Sequence, residues 1–273
     1  MTITFSSFRK ITVHTLKVLF VLVIIRCNVE PETGSEEHIR HVTNQITDEY
    51  LTRADNHPEH WVTYGKYYDE DRYSTLDQIN RNNVAHLKLK WALNLETRRG
   101  IEATPLVIDG IMFLTSTWSR VHAVNTRTGK EIWSYDPKVS KAAGEKACFD
   151  VVNRGVALYQ GKVYVGTLDG RLIALDAATG VKVWEMVTVD QTKNYSITGA
   201  PRIVKGNVII GNGGAEFGVR GYITAYDATT GELKWRFYTV PGDPSKPFES
   251  EALKMAADTW SDKWWEYGGG GTA

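Results

Sequence analysis

Three segments, Ala123-Val-Asn-Thr-Arg-Thr-Gly-Lys-Glu-Ile-Trp133, Ala174-Leu-Asp-Ala-Ala-Thr-Gly-Val-Lys-Val-Trp184 and Ala225-Tyr-Asp-Ala-Thr-Thr-Gly-Glu-Leu-Lys-Trp235, carry the same punctuation. Their glycines fall at 129, 180 and 231 and their tryptophans at 133, 184 and 235, so both series advance by 51 residues. A fixed period of this order signals a repeat architecture. Inside one period the apolar runs Val156–Tyr159, Lys162–Gly166, Arg171–Asp176 and Val181–Trp184 are separated by Gln-Gly, Asp-Gly and Thr-Gly. Glycine supplies the positive φ such hairpin turns require. Four short antiparallel strands per period make a blade, so the chain reads as all-β and as a β-propeller. A sandwich leaves the strict spacing unexplained. The repeated tryptophan, one per blade, reads as a packing residue between blades because of its large apolar area.

Downstream of the second repeat, Gly211-Asn-Gly-Gly-Ala-Glu-Phe-Gly-Val-Arg-Gly221 lies between two strand-like runs. Glycines without a Cβ let a backbone turn tightly and approach another molecule. Set among them, Glu216 reads as the committed carboxylate of a binding-site wall, and Arg220 reads as a structural ion-pair partner. The tail holds a Pro-rich loop over 241–247, a short helix expected from Glu249 to Thr259, three tryptophans and the run Gly268–Gly271, for which no structural role is evident. Three complete repeats, with a partial one around Trp91, fall short of a closed ring of four to eight blades. The chain is therefore expected to be the front portion of a longer protein.

Upstream, Arg9, Lys10 and Lys17 precede the apolar run Val18–Ile25. Eight residues are too short for a bilayer span, which needs about 20. Residues 1–27 therefore read as a secretory signal, or as an uncleaved anchor that gives membrane association through the N-terminus. Arg26-Cys27-Asn28 is a poor cleavage site, and a lipid-modified Cys27 is a further alternative. Residues 28–60 read as a polar, solvated leader whose paired histidines, His38/His41 and His57/His60, lack partner ligands at a recognisable spacing. Residues 61–273 form the expected propeller domain, opening with an aromatic cluster that packs on the main body.

Lys plus Arg equal Asp plus Glu at 32 each, so no net field recruits nucleic acid. The two cysteines, Cys27 and Cys148, form no C-x-x-C motif, which excludes a thiol zinc site and attached haem.

Several phrases resemble pyrroloquinoline quinone (PQQ)-dependent alcohol dehydrogenases of the methanol/ethanol type. They are Tyr73-Ser-Thr-Leu-Asp-Gln-Ile-Asn80, Gly100-Ile-Glu-Ala-Thr-Pro105, Asp150-Val-Val-Asn-Arg-Gly155, Gly166-Thr-Leu-Asp-Gly170, Ile197-Thr-Gly-Ala-Pro201, Gly213–Gly221 and Tyr238-Thr-Val-Pro-Gly-Asp-Pro244. The resemblance runs from about Trp61 to the end of the chain. It implies an eight-bladed propeller, about three to four blades of it present here, holding PQQ with one calcium ion. It implies oxidation of primary alcohols in the periplasm, with electrons passed to a cytochrome c or quinone.

By motif position Glu102, Cys148, Arg154, Thr198, Gly214 and Ala215 resemble cofactor contacts, and Glu216 resembles the calcium-ligating glutamate. The residue types suit that chemistry: PQQ offers three carboxylates and an ortho-quinone to a guanidinium and a hydroxyl. Calcium takes six to eight oxygens, which Glu216 begins to supply.

Two departures stand out. Where the family has two adjacent cysteines in a strained disulfide ring, this chain has Cys148-Phe149, with Phe149 an apolar lid at best. The family's catalytic aspartate, asparagine calcium ligand and tryptophan floor fall beyond Ala273, so no catalytic residue is assigned and the chain alone is expected to be inactive. A non-enzymatic propeller scaffold and a decayed paralogue are the rival readings.

Overall fold

A computed structural model describes residues 31–148 and 150–271. Signal or anchor residues 1–27, and Phe149, lie outside the described residues.

Three four-stranded sheets follow one another along the chain. The first is β1 (Leu106–Ile108), β2 (Ile111–Thr115), β3 (Val121–Asn125) and β4 (Glu131–Tyr135). The second is β5 (Ala157–Tyr159), β6 (Lys162–Gly166), β7 (Arg171–Asp176) and β8 (Lys182–Val187). The third is β9 (Arg202–Val204), β10 (Asn207–Gly211), β11 (Tyr222–Asp227) and β12 (Leu233–Tyr238). In each, consecutive strands pair antiparallel, so each sheet is a simple meander. These are propeller blades, and the four strands expected of the second blade match those observed to within a few residues.

The 51-residue period has a physical cause at each position. The Asx side chain at 125, 176 or 227 accepts from the backbone N–H groups two and three residues on, closing the turn between third and fourth strands. Gly129, Gly180 and Gly231 then take φ of +73°, +71° and +76°, a region costly for residues with a Cβ.

Over each glycine lies the indole of the preceding repeat: Trp91 on Gly129, Trp133 on Gly180 and Trp184 on Gly231. Each Nε1–H donates to a carbonyl of that same turn, on Thr126 (2.7 Å), Ala177 (3.0 Å) and Ala228 (3.3 Å). Within their own blades Trp133, Trp184 and Trp235 stand opposite alanines, Ala123, Ala174 and Ala225, where the register slips by a bulge. These alanines are fully buried, and their small side chains leave room for the indole. The partial repeat expected around Trp91 is this latch alone. No strand among the described residues flanks it.

The polar stretch before Trp61 is not a solvated leader. Ser35 caps α1 (Glu36–Asn44) by accepting from the His38 N–H, and Thr47 caps α2 (Asp48–Thr52). Ile39, Val42, Ile46 and Leu51 are buried in the same core as the blades. Ile39 and Val42, three apart, share one face of α1, while Ile46 just after it and Leu51 on α2 add to the same buried contact, which outweighs the segment's low overall hydropathy.

This strap grips a turn of every blade. His38 Nε2 meets Asp109 at 3.0 Å, the carbonyls of Thr43 and Ile46 receive the N–H groups of Gly161 and Gln160, and Asp48 receives the N–H of Gly206. In a meander the first and third turns share one end and the second turn lies at the other. The strap therefore occupies one end, and the β2–β3, β6–β7 and β10–β11 loops the other.

Candidate cofactor site

The β10–β11 loop, Gly211–Gly221, lies at the end opposite the strap. Buried Asn212 pins it by accepting the Tyr222 N–H (2.9 Å). Ser196 and Gly213 exchange backbone hydrogen bonds, which ties the loop to the segment carrying Thr198. Gly214 and Gly218, at φ +102° and +79°, bracket a single 3-10 turn, Ala215–Phe217, that carries Glu216 outward. A side chain on Gly214 would overlap the Asn194 carbonyl.

The Gly268–Gly271 run, left without a role by the sequence, packs on this loop. Gly221 N donates to Gly269 O (2.8 Å) and Gly269 N to Val219 O (3.1 Å). A Cβ on Gly221 would overlap the Gly270 carbonyl, and one on Gly268 would meet Val219 backbone atoms at 2.5 Å. Glycines on both sides are what allow the two backbones to touch. The short helices α3 (Lys141–Gly144), α4 (Glu251–Ala257) and α5 (Trp264–Tyr267) fill the connections. Helix α4 falls inside the span expected from Glu249 to Thr259.

Arg154 precedes β5 at the same end. Its backbone N–H donates to Thr198 O (2.8 Å), Nη1 donates to Thr198 Oγ1 (2.6 Å) and Nη2 pairs with Glu102 at 3.1 Å. Beneath it, buried Asn153 donates to Ser119 Oγ and Gly166 O and accepts from the Gly155 N–H, fixing the turn that aims Arg154. Glu102, Arg154 and Thr198 thus form one cluster, with Thr198 buried, Arg154 partly exposed and Glu102 exposed. Thr198 accepts from the guanidinium, so its own hydroxyl proton remains for an acceptor.

The exposed Cys148 thiol hydrogen-bonds Glu216. That bond, and to a lesser degree burial and the carboxylate's charge, push the thiol pKa up. The sequence-assigned residues therefore fall into two groups, Glu102/Arg154/Thr198 and Cys148/Gly214/Ala215/Glu216, joined through the Ser196–Gly213 bridge.

Arg220 is held in an ion pair, as expected. It forks onto Glu249 (2.6 and 3.0 Å), donates to Val240 O and lies 3.8 Å from the Tyr238 ring centroid.

Two residues passed over in the sequence border Arg154. Tyr64 is sandwiched between the guanidinium groups of Arg72 and Arg202 at 4.5 and 4.4 Å, and with Arg154, Gly199 and Arg202 it lines an open cleft of about 310 Å³. Only the density of aromatics after Trp61 hinted at Tyr64, because its partners lie far away in sequence. Among the described residues, Glu216 belongs to no group of three His, Cys, Asp or Glu ligand atoms close enough together to hold a metal ion. The only such group of three among the described residues, His57/Glu59/His60, belongs to the strap segment.

Residues 61–266 match the family model of the glucose/ethanol/alcohol dehydrogenase β-propeller domain. A quinohemoprotein alcohol dehydrogenase of Comamonas testosteroni is 57% identical over 244 residues, covering 88% of this chain and 34% of the relative. A 1-butanol dehydrogenase (cytochrome c) of Thauera butanivorans is 56% identical over 203 residues, covering 73% of this chain and 29% of the relative. The crystal structure of the Comamonas testosteroni enzyme superposes with a TM-score of 0.83 at 58% identity, covering 88% of this chain and 36% of that one. A europium-containing methanol dehydrogenase superposes at 0.74 with 38% identity, covering 82% and 41%. The chain spans about a third of the length of the curated relatives it matches.

Proposed function

This chain belongs to the glucose/ethanol/alcohol dehydrogenase β-propeller family, and from that premise we propose that its loop end is part of the PQQ site of an alcohol-oxidising quinoprotein. The observation that carries the reading is the Arg154 guanidinium held against Thr198 and Glu102 at the mouth of a cleft. The donor set fits PQQ. Arg154 offers planar N–H pairs to carboxylate or quinone oxygen, Thr198 offers its unspent hydroxyl proton, and Glu102 offers an acceptor for the cofactor's pyrrole N–H. Gly214 and Ala215 bring backbone rather than side chain to the cofactor. When bound, PQQ supplies the two-electron acceptor for alcohol oxidation.

On this reading Arg154 orients the cofactor and neutralises its negative charge. Thr198, buried and tethered through its own carbonyl, keeps that guanidinium from swinging out to water. Glu216 would contribute one carboxylate to a hard cation, calcium, which takes six to eight oxygens in all. The Glu216 carboxylate that would hold the cation is the one the Cys148 thiol hydrogen-bonds. The relatives' names, which include a quinone-linked dehydrogenase subunit and a cytochrome c-linked enzyme, support one of these acceptors as the redox partner. A primary alcohol substrate and an exported, periplasmic setting complete the proposal. No helix among the described residues is long and apolar enough to cross a membrane.

The test is PQQ binding, followed by tryptophan quenching with and without calcium. Arg154→Ala is expected to weaken binding by about tenfold or more, in line with the loss of one charge-assisted pair. Equal affinity in wild type, Arg154→Ala and Thr198→Ala would overturn the assignment.

A further inference from the structure

The strap carries a cluster that the alcohol-oxidising reading does not use. His57, Glu59 and His60 each offer one ligand atom, and these atoms lie within 4.8 Å of one another. His57 Nδ1 is 3.6 Å and His60 Nε2 3.9 Å from Glu59 Oε1. Ligands about 2.1 Å from a zinc-sized ion at tetrahedral angles stand about 3.4 Å apart, so closing the set takes a few tenths of an ångström at Glu59 and at most about 1.4 Å between any two ligand atoms. The sequence already places Glu59 between the two histidines, as His57-Pro-Glu-His60. Folding brings the three ligand atoms near one another and supplies the outer support such a site requires.

That support has three parts. The Tyr50 hydroxyl meets His60 Nδ1 at 2.5 Å, so the imidazole's second nitrogen is engaged and Nε2 is left for a ligand bond, the arrangement metal-binding histidines adopt. The Tyr50 ring stacks on His57 at 4.6 Å and 5°, fixing that imidazole's plane. The Lys66 ammonium donates to the carbonyls of Pro58 and His60, both at 2.6 Å, and the His60 N–H closes onto His57 O. The ligand-bearing turn is therefore held before any ion arrives.

We propose that His57, Glu59 and His60 form a binding site for a single borderline divalent transition ion of the zinc class. Two imidazoles and one carboxylate favour zinc, cobalt or copper over calcium and magnesium, which want oxygen. Three protein ligands leave at least one position for water. Trp61, the next residue, exchanges two backbone hydrogen bonds of 2.8 Å with Val107 of β1. The ion would thus stiffen the turn that leads directly into the Trp61–Val107 pairing on the first blade.

The experiment is cobalt titration of the whole chain, read by visible d–d absorption, followed by displacement with zinc. One cobalt per chain is expected, displaced by one zinc and not by millimolar calcium. His60→Ala is expected to weaken zinc binding by at least about tenfold, the usual cost of losing a ligand or its support, and Glu59→Gln to weaken it as well. His86→Ala and Cys148→Ser should bind as wild type does. Thermal melting without metal checks that each variant is folded, and zinc should raise the midpoint of the wild type but not of His60→Ala. Non-saturating binding, calcium displacing the cobalt, or a folded His60→Ala with wild-type affinity would overturn the site.

Discussion

The glycines at 129, 180 and 231 and those at 214, 218 and 221 do opposite things with the same freedom. Each repeat glycine sits under an indole from the preceding blade, at nearly the same φ three times over. It serves architecture, so it recurs. The loop glycines occur once, in the third blade alone, where they let the C-terminal run lie against Val219–Gly221 and turn Glu216 outward. A device repeated in register is packing, whereas a departure from the repeat is where a local, non-repeated contact takes over.

The largest test of that contrast is to remove the indoles. Trp184→Ala empties a latch closed on Gly231 and is expected to cost about 3 kcal/mol in denaturant unfolding. Trp235→Ala, whose ring is 46% exposed, should cost under about 1 kcal/mol. Equal costs would mean that the latch is not what holds the blades.

Next comes Gly180→Ala, expected to lose about 1–2 kcal/mol from its positive φ alone, with further crowding against Trp133. Gly221→Ala should instead leave global stability little changed while raising amide exchange at Gly269, because the overlap with the Gly270 carbonyl displaces only the tail.

A smaller effect is expected from Arg220. Its hydrogen bond holds the Glu249 carboxyl below its ordinary range. A carboxyl lowered in the folded state adds stability above its unfolded pKa, about 4.3. That stability is lost as pH falls through the folded value. Glu249 is 42% exposed, so the contribution stays below about 1 kcal/mol. Arg220→Ala should therefore be less stable than wild type at pH 6, with the gap narrowing as pH falls below about 4.3.

The smallest effect is chemical. The Cys148 thiol, raised by Glu216, should react slowly with iodoacetamide at neutral pH, and Glu216→Gln should speed it several-fold. An unchanged rate would separate the two residues.

How much could be read beforehand differs by region for a physical reason. The blades were legible because each position of the repeat answers a local demand: an Asx to close a turn, a glycine at positive φ, an alanine opposite an indole. Arg220 was legible as an ion-pair residue, though its partner Glu249 was not. The strap was misread because Ile39, Val42, Ile46 and Leu51 are few among many polar residues, and their value appears only when three blades offer turns to grip. The C-terminal glycine run had no meaning until a second glycine-rich backbone lay beside it. Of the site, the phrases around Arg154, Thr198 and Glu216 could be recognised. That Arg154 bonds Thr198 and that Cys148 meets Glu216 could not, because neither pair is close in sequence.

By itself the sequence determined the period, the strand count within each blade, the turn chemistry and the residue types suited to a quinone cofactor. Those follow from backbone sterics and from side chains a few residues apart. The tertiary structure alone decided which indole covers which glycine and where the strap docks. Those pairings depend on long-range closure of the chain, which brings together groups whose local sequences carry no record of one another.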